Sequence, residues 1–382
     1  MHKIVISRDL FLLVSLVNSS VSFPRRFKCN TIQKAIMTAH ESQRYFEENS
    51  DLKWIPLLDL VLNRSPEDLS SEKSIPRMAK SVEYARAIQD AWIPQIGSFS
   101  HEVICSPIKY ADSTGCPLYG HLITSNHTAS DKETVGIILF HTAAGPHDLF
   151  LHWKAHELIS TFNDQYEVRV LIADLISDAS GLIGWSDDRS RYMEARDKLL
   201  QTELMAEGNM ARPILESRIQ AAFDTINNPF HISGELRVSP KKLSVLGWCF
   251  GGQPVLEIVR CSRLRRQVKC AVTFHGVIDG IQQLLQVPSD ELDSETTFLL
   301  CNGRQDPFVC RKDLLTYGVM LDSVPSIKWS LLDFAGVKHG FSNPAQQHNP
   351  NQQAFRYDKN AAKISWSATI ATLRCSMDNG IP

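Results

Sequence analysis

A chain of 382 residues with 43% hydrophobic and 21% charged residues is long enough and apolar enough to bury a large core. Its formal net charge of -2, without a run of Lys and Arg, excludes the basic stripe of a nucleic-acid binder and the acidic tail of a disordered chain. The cysteines, odd in number and without a Cys-x-x-Cys pair, predict neither a zinc knuckle nor a dense disulfide framework, and at least one thiol stays free.

The N-terminus reads as a targeting segment. Lys3 and Arg8 lead into the apolar run from Leu10 to Val17, too short to span a bilayer but long enough for the apolar part of a signal peptide. Ser20-Val21-Ser22 supplies small residues for cleavage, and Phe23-Pro24-Arg25-Arg26 follows, basic and free of acids. A small-residue site followed by Phe is similar to the bipartite presequences of algae with secondary plastids. Residues 1–22 are therefore expected to direct the chain to a plastid or the secretory pathway; if residues 4–17 are an ordinary buried element, the expectation becomes cytoplasmic. No other segment reaches transmembrane length, so no stable membrane span is expected.

Residues 23–98 are predicted as a helical extension, since they lack strand alternation. Ile32, Ile36 and Met37 recur at helical spacing, and the residues from Leu57 to Leu62 form an apolar block. Ser65-Pro66-Glu67-Asp68 is a helix start: Ser caps, Pro takes the first position and acids fill the first turn. Pro76 is expected to open a further helix through Met78, Val82, Tyr84, Ala87 and Ile88.

From 99 to 376 the pattern becomes that of an α/β domain. Residues 102–110 and 117–124 read as two strands joined by a turn at Asp112-Ser113-Thr114-Gly115. Short apolar runs follow at wide intervals, over 135–140, 168–172, 243–246, 270–274, 297–300 and 327–332, as buried parallel strands require. Amphipathic stretches at 150–162, 191–206 and 213–225 lie between them, so the pattern predicts a doubly wound, mostly parallel sheet with helices on both faces.

Three loops carry candidate chemistry. Gly247-Trp248-Cys249-Phe250-Gly251-Gly252 sits between a strand and a helix, the context of a nucleophile elbow. The glycines remove side chains that would collide around Cys249, and the helix start favours its thiolate. The amide of Phe250 would donate to an oxyanion. Cys301-Asn302-Gly303-Arg304-Gln305-Asp306-Pro307 follows another strand, and Asp306 would orient an imidazole, although Asp-Pro is equally a helix start. Asp333-Phe334-Ala335-Gly336-Val337-Lys338-His339-Gly340-Phe341 follows the last strand, where His339 would exchange a proton with the sulfur. Nucleophile, acid, histidine is the chain order of α/β-hydrolases.

Together these motifs resemble the dienelactone hydrolase family over roughly residues 100–375. The resemblance implies the α/β-hydrolase fold and hydrolysis of an ester or lactone through an acyl group on Cys249, with Asp306 and His339 completing the triad and neither metal nor organic cofactor. It places the second oxyanion donor in His141-Thr142-Ala143-Ala144-Gly145, at Ala143. It also implies a small-molecule partner only, and a monomer or homodimer. Where the family's founding members carry an activating glutamate, this chain has Thr142, and where an arginine follows the histidine it has Ser342 and Asn343. Activation then falls on His339 directly, and dienelactone itself is not the expected substrate.

His141, Thr142, Trp248, His275 and Arg191 are expected around the pocket. His152 and His156 share a helix face, but no Cys or third ligand stands at recognisable spacing, so no metal is expected. Two alternatives stay open: a hydrolase-fold binding protein that has lost turnover, as the missing glutamate suggests, and a thiol-based acyl-transfer or redox protein.

Overall fold

The computed structural model describes residues 54–74, 76–96, 102–126, 132–178, 184, 188–205, 210–227, 238–278, 280 and 295–378, without the side chains of 238–242. The targeting segment and the helical spacing at Ile32, Ile36 and Met37 lie outside these residues.

The described chain begins with β1 (Ile55–Pro56), α1 (Leu57–Val61), α2 (Pro66–Ser70) and α3 (Val82–Ile96). Ser65 caps α2 as its sequence predicts: its hydroxyl accepts from Asp68 N at 3.0 Å, and the Asp68 carboxylate accepts from Ser65 N in return. Two expectations are corrected. Residues 55–56 are extended, because they add an antiparallel edge to the next strand. The helix expected from Pro76 starts only at Val82, since residues 76–81 stay extended or bent while Met78 O accepts from Leu149 N at 2.8 Å.

The α/β part follows as β2 (Val103–Ala111), β3 (Pro117–Ser125), β4 (Thr134–Phe140), α4 (Leu149–Phe162), β5 (Glu167–Ala173), α5 (Arg189–Leu199), a small hairpin of β6 (Glu203–Leu204) and β7 (Met210–Ala211), α6 (Pro213–Asn227), β8 (Val238–Trp248), α7 (Gly252–Arg260), α8 (Ser262–Arg265), β9 (Val268–Phe274), β10 (Thr296–Gly303), α9 (Arg311–Asp322), β11 (Ile327–Phe334) and α10 (Lys359–Asp378). The amphipathic reading of 191–206 overran, because α5 stops at Leu199 and the following residues pair as the hairpin.

Among the described residues, nine strands form one sheet in the order β1-β2-β3-β5-β4-β8-β9-β10-β11. β1, β2 and β3 pair antiparallel, as do β3 and β5, and every pairing from β5 to β11 is parallel. Buried parallel strands need apolar residues on both faces, and β4, Thr-Val-Gly-Ile-Ile-Leu-Phe, is buried at every position. The pleat sorts them: Val135, Ile137, Leu139, Leu246, Trp248, Val272 and Phe274 join one core with α4, α10 and the apolar residues of 57–92. α6 and α7 lie against the sheet through β4 and β8, and α7 also reaches β9. This arrangement is the α/β-hydrolase fold.

Candidate active site

β8 ends in extended backbone at Trp248, with φ -118° and ψ 135°. The chain then turns through Cys249 at φ 55°, a left-handed conformation that costs a residue with a Cβ about 1–2 kcal/mol. One 3₁₀ turn, Cys249–Gly251, leads into α7. Glycines let backbone meet backbone here. A Cβ on Gly247 would stand 1.9 Å from Gly251 O, one on Gly251 2.2 Å from Phe140 O, and one on Gly252 2.4 Å from Gly276 Cα. The elbow is thus wedged between the end of β4 and the loop after β9, with Cys249 partly exposed.

The loops after β10 and β11 are laced together. Arg304 N donates to Phe334 O and Gln305 N to Val337 O, each at 2.9 Å. Asp306 Oδ2 accepts from His339 Nδ1 at 2.7 Å, while its Oδ1 accepts from Phe308 N at 2.8 Å. The Asp-Pro pair therefore caps a turn, and α9 begins later, at Arg311. His339 N donates to Ala354 O, and Arg356 N to His339 O, each at 3.1 Å, so the imidazole hangs from a clamped backbone. It also interacts electrostatically with the Cys249 side chain.

Electrostatics follow from that chain of contacts. Burial disfavours the Cys249 thiolate, but the His339 charge, its hydrogen bond and the Phe250 amide outweigh burial and lower the thiol below its ordinary value, with Asp306 opposing. Burial likewise pulls His339 down, yet Cys249 and the Asp306 hydrogen bond raise it to about 10. Each partner thus favours the charged form of the other, thiolate on Cys249 and imidazolium on His339.

The other predicted residues fall in different places. Phe250 is buried, its amide turned to the sulfur. Ala143 is half-buried in the loop after β4, and Thr142 beside it donates to Asp148 Oδ2 at 3.2 Å and accepts from Ala144 N at 3.1 Å. His141 is fully buried: Nδ1 donates to Thr142 O at 2.6 Å and Nε2 accepts from Leu175 N at 3.2 Å, so its ring is a strut of the loop. Trp248 lies in the core, stacked on Phe274 at 4.8 Å. His275, with φ 41°, stands edge-on to His339 at 4.6 Å between ring centres and pairs with Ser342 Oγ at 3.2 Å. Arg191 bonds Asp178 at 2.6 Å.

Several neighbours carried no sequence signal. Tyr192 meets the Phe250 ring at 6.1 Å, and Phe308 and Phe355 flank the His339 ring at 4.9 and 5.3 Å. Tyr84 of α3 donates to Asp148 Oδ1 at 2.7 Å and accepts from Asn343 Nδ2 at 2.8 Å. Thr142 and Asn343 are thereby joined through Asp148 and Tyr84. The paired-histidine reading also changes. His156 turns to Trp92, whose Nε1 donates to its Nδ1 at 3.3 Å, while His152 meets Cys105 and His121.

A strand–turn–helix elbow at the carboxyl edge of this sheet marks a hydrolase of the α/β-hydrolase class. Residues 188–376 match the sequence profile of the dienelactone hydrolase family. The matched stretch contains Cys249, Asp306 and His339. An uncharacterized protein of Caenorhabditis elegans is 27% identical over 143 residues, spanning 36% of this chain and 82% of that one. Among solved structures, a dienelactone hydrolase-like promiscuous phosphotriesterase from metagenomic libraries aligns with a TM-score of 0.53 at 19% identity, over 71% of this chain and 98% of its own. Oligopeptidase B from Leishmania major aligns with a TM-score of 0.46 at 12% identity, over 72% of this chain and 37% of its own.

Proposed function

We propose that this protein hydrolyses carboxylic esters or lactones by nucleophilic catalysis at Cys249. The observation that supports this reading most is the His339 imidazole, bonded to Asp306 Oδ2 at 2.7 Å and electrostatically coupled to the Cys249 thiol. The thiolate attacks the carbonyl carbon, and the amides of Phe250 and Ala143 receive the oxyanion. The imidazolium of His339 gives its proton to the leaving alkoxide, and a thioester remains on Cys249. The now neutral imidazole takes a proton from water as its oxygen attacks the thioester; the carboxylic acid departs, and the sulfur leaves as thiolate beside the imidazolium. Asp306 keeps the ring in one orientation throughout. With Thr142 where the founding members carry glutamate, His339 takes over the activation, since its charge lowers the Cys249 thiol below its ordinary value. The aromatic rings of Phe308, Phe355 and Tyr192 suit an apolar acyl or alcohol group. Residues 1–22 remain, in this reading, a plastid or secretory targeting segment.

The test is turnover of a panel of p-nitrophenyl esters and lactones, with intact-mass analysis of quenched protein. Turnover with a transient acyl adduct that maps to Cys249 is expected. A Cys249→Ala variant with the wild-type rate would exclude the scheme. An adduct that water does not clear would favour acyl transfer, and ligand binding with neither adduct nor turnover would favour a non-catalytic relative.

A further inference from the structure

A second group of ligating side chains lies outside the triad. Cys105 of β2, His121 of β3 and His152 of α4 are each fully buried, and one ligand atom from each falls within 4.8 Å of the others. Their positions in the chain follow no ligand motif, since three separate elements bring them together. Cys105 Sγ stands 3.6 Å from His121 Nδ1. In a tetrahedral zinc site, with Zn–S near 2.3 Å and Zn–N near 2.1 Å, a sulfur and a nitrogen ligand are separated by roughly 3.6 Å.

The surrounding hydrogen bonds set the imidazoles as metal ligands are set. His152 Nδ1 donates to Asp148 O at 3.0 Å, which turns its Nε2 lone pair away from the helix backbone. That Nε2 is buried and has no hydrogen-bond partner among the described residues. His121 uses its far nitrogen, Nε2, to share a hydrogen bond with His147 Nδ1, which leaves Nδ1 toward Cys105. A packed cluster held only by hydrogen bonds would give the His152 nitrogen a donor, and the described residues supply none.

We propose that Cys105, His121 and His152 form a binding site for a thiophilic transition-metal ion, zinc or copper, separate from the Cys249 triad. One soft sulfur and two imidazoles are the donor set such ions select over calcium or magnesium. Binding forms one metal–sulfur and two metal–nitrogen bonds, and the Cys105 thiol proton leaves to solvent. Three protein donors leave a fourth position to a small ligand such as water. The ion would fasten the β2–β3 hairpin to α4 and, through His147, to the loop that carries Ala143.

The experiment reconstitutes chelator-stripped full-length protein with Zn²⁺ alone and with Co²⁺ alone, followed by gel filtration and metal analysis. One ion per chain is expected, together with release of one proton, a thiolate-to-cobalt charge-transfer band and a rise in the thermal midpoint. Metal analysis of the protein as purified tells zinc from copper, and either supports the site. Cys105→Ser and His152→Gln are expected to weaken zinc binding by at least about 100-fold, whereas Cys249→Ser keeps the ion and the charge-transfer band. Folded wild-type protein that retains no stoichiometric metal, or shows no charge-transfer band, would overturn the proposal without reference to any variant. So would a band that vanishes in Cys249→Ser and persists in Cys105→Ser.

Discussion

In the proposed scheme Cys249 and His339 act as a pair, because each moves the other's proton affinity. Burial alone would raise the thiol above its ordinary 9.0, and His339 reverses the sign. Alkylation of Cys249 by iodoacetamide is therefore expected to reach half its maximal rate below pH 9.0 in the wild-type protein. In His339→Ala the midpoint should move to 9.0 or above, since burial, the largest effect, is then opposed only by the Phe250 amide; a midpoint that stays put would mean that the imidazole does not stabilise the sulfur. Asp306→Asn keeps the shape of the side chain but no longer favours the donating Nδ1 tautomer or the charged ring. A fall in turnover on the order of 10⁴, as a miss-set tautomer produces, is expected from steady-state kinetics, with KM changing far less. In the sequence Asp306 was legible as the acid that would orient the imidazole, with Asp-Pro equally readable as a helix start. The structure gives its two oxygens separate tasks, one in the turn and one on the ring.

The elbow and its neighbouring loops were the most legible elements, because a steric requirement writes itself as glycine. Gly247→Ala would push a methyl to 1.9 Å from Gly251 O, a backbone atom that cannot swing aside. Urea denaturation is expected to show a loss of about 3 kcal/mol or more, beyond ordinary overpacking. Gly336 is the contrast. Its φ is 76°, but nothing lies within 4 Å of an added Cβ, so Gly336→Ala should cost only the left-handed penalty of about 1–2 kcal/mol. Equal losses at the two positions would remove the packing argument for the elbow. Strand existence was likewise legible from apolar runs, and the order of strands was not, since adjacency depends on crossovers that no local pattern encodes. The hairpin at 203–211 was missed because two-residue strands carry no periodicity. Cys105, His121 and His152 were missed for the same reason at a longer range: β2, β3 and α4 meet only in three dimensions.

At the scale of the molecule, residues 54–96 do more than cover apolar surface. Trp92, Ile88 and Tyr84 enter the same core as α4 and the sheet. Tyr84 also carries a polar message, since its hydroxyl joins the loop with Ala143, by way of Asp148 and Thr142, to the loop after His339, by way of Asn343. The carboxyl of Asp148 is raised by its burial and held down by this hydroxyl first, then by the Phe150 amide, Lys80 and Thr142. Tyr84→Phe keeps the ring and its packing but deletes the donor, so the carboxyl rises further and its grip on the loop weakens. A loss of roughly 1–3 kcal/mol is expected in urea denaturation, the cost of a buried partner left short. If the loop places the Ala143 amide for the oxyanion, turnover should also fall about tenfold, some 1.4 kcal/mol of barrier, while iodoacetamide still reads the wild-type thiol midpoint. That split separates positioning of the oxyanion donor from damage to the triad. A stability loss with unchanged turnover would make the Tyr84 network a structural brace alone.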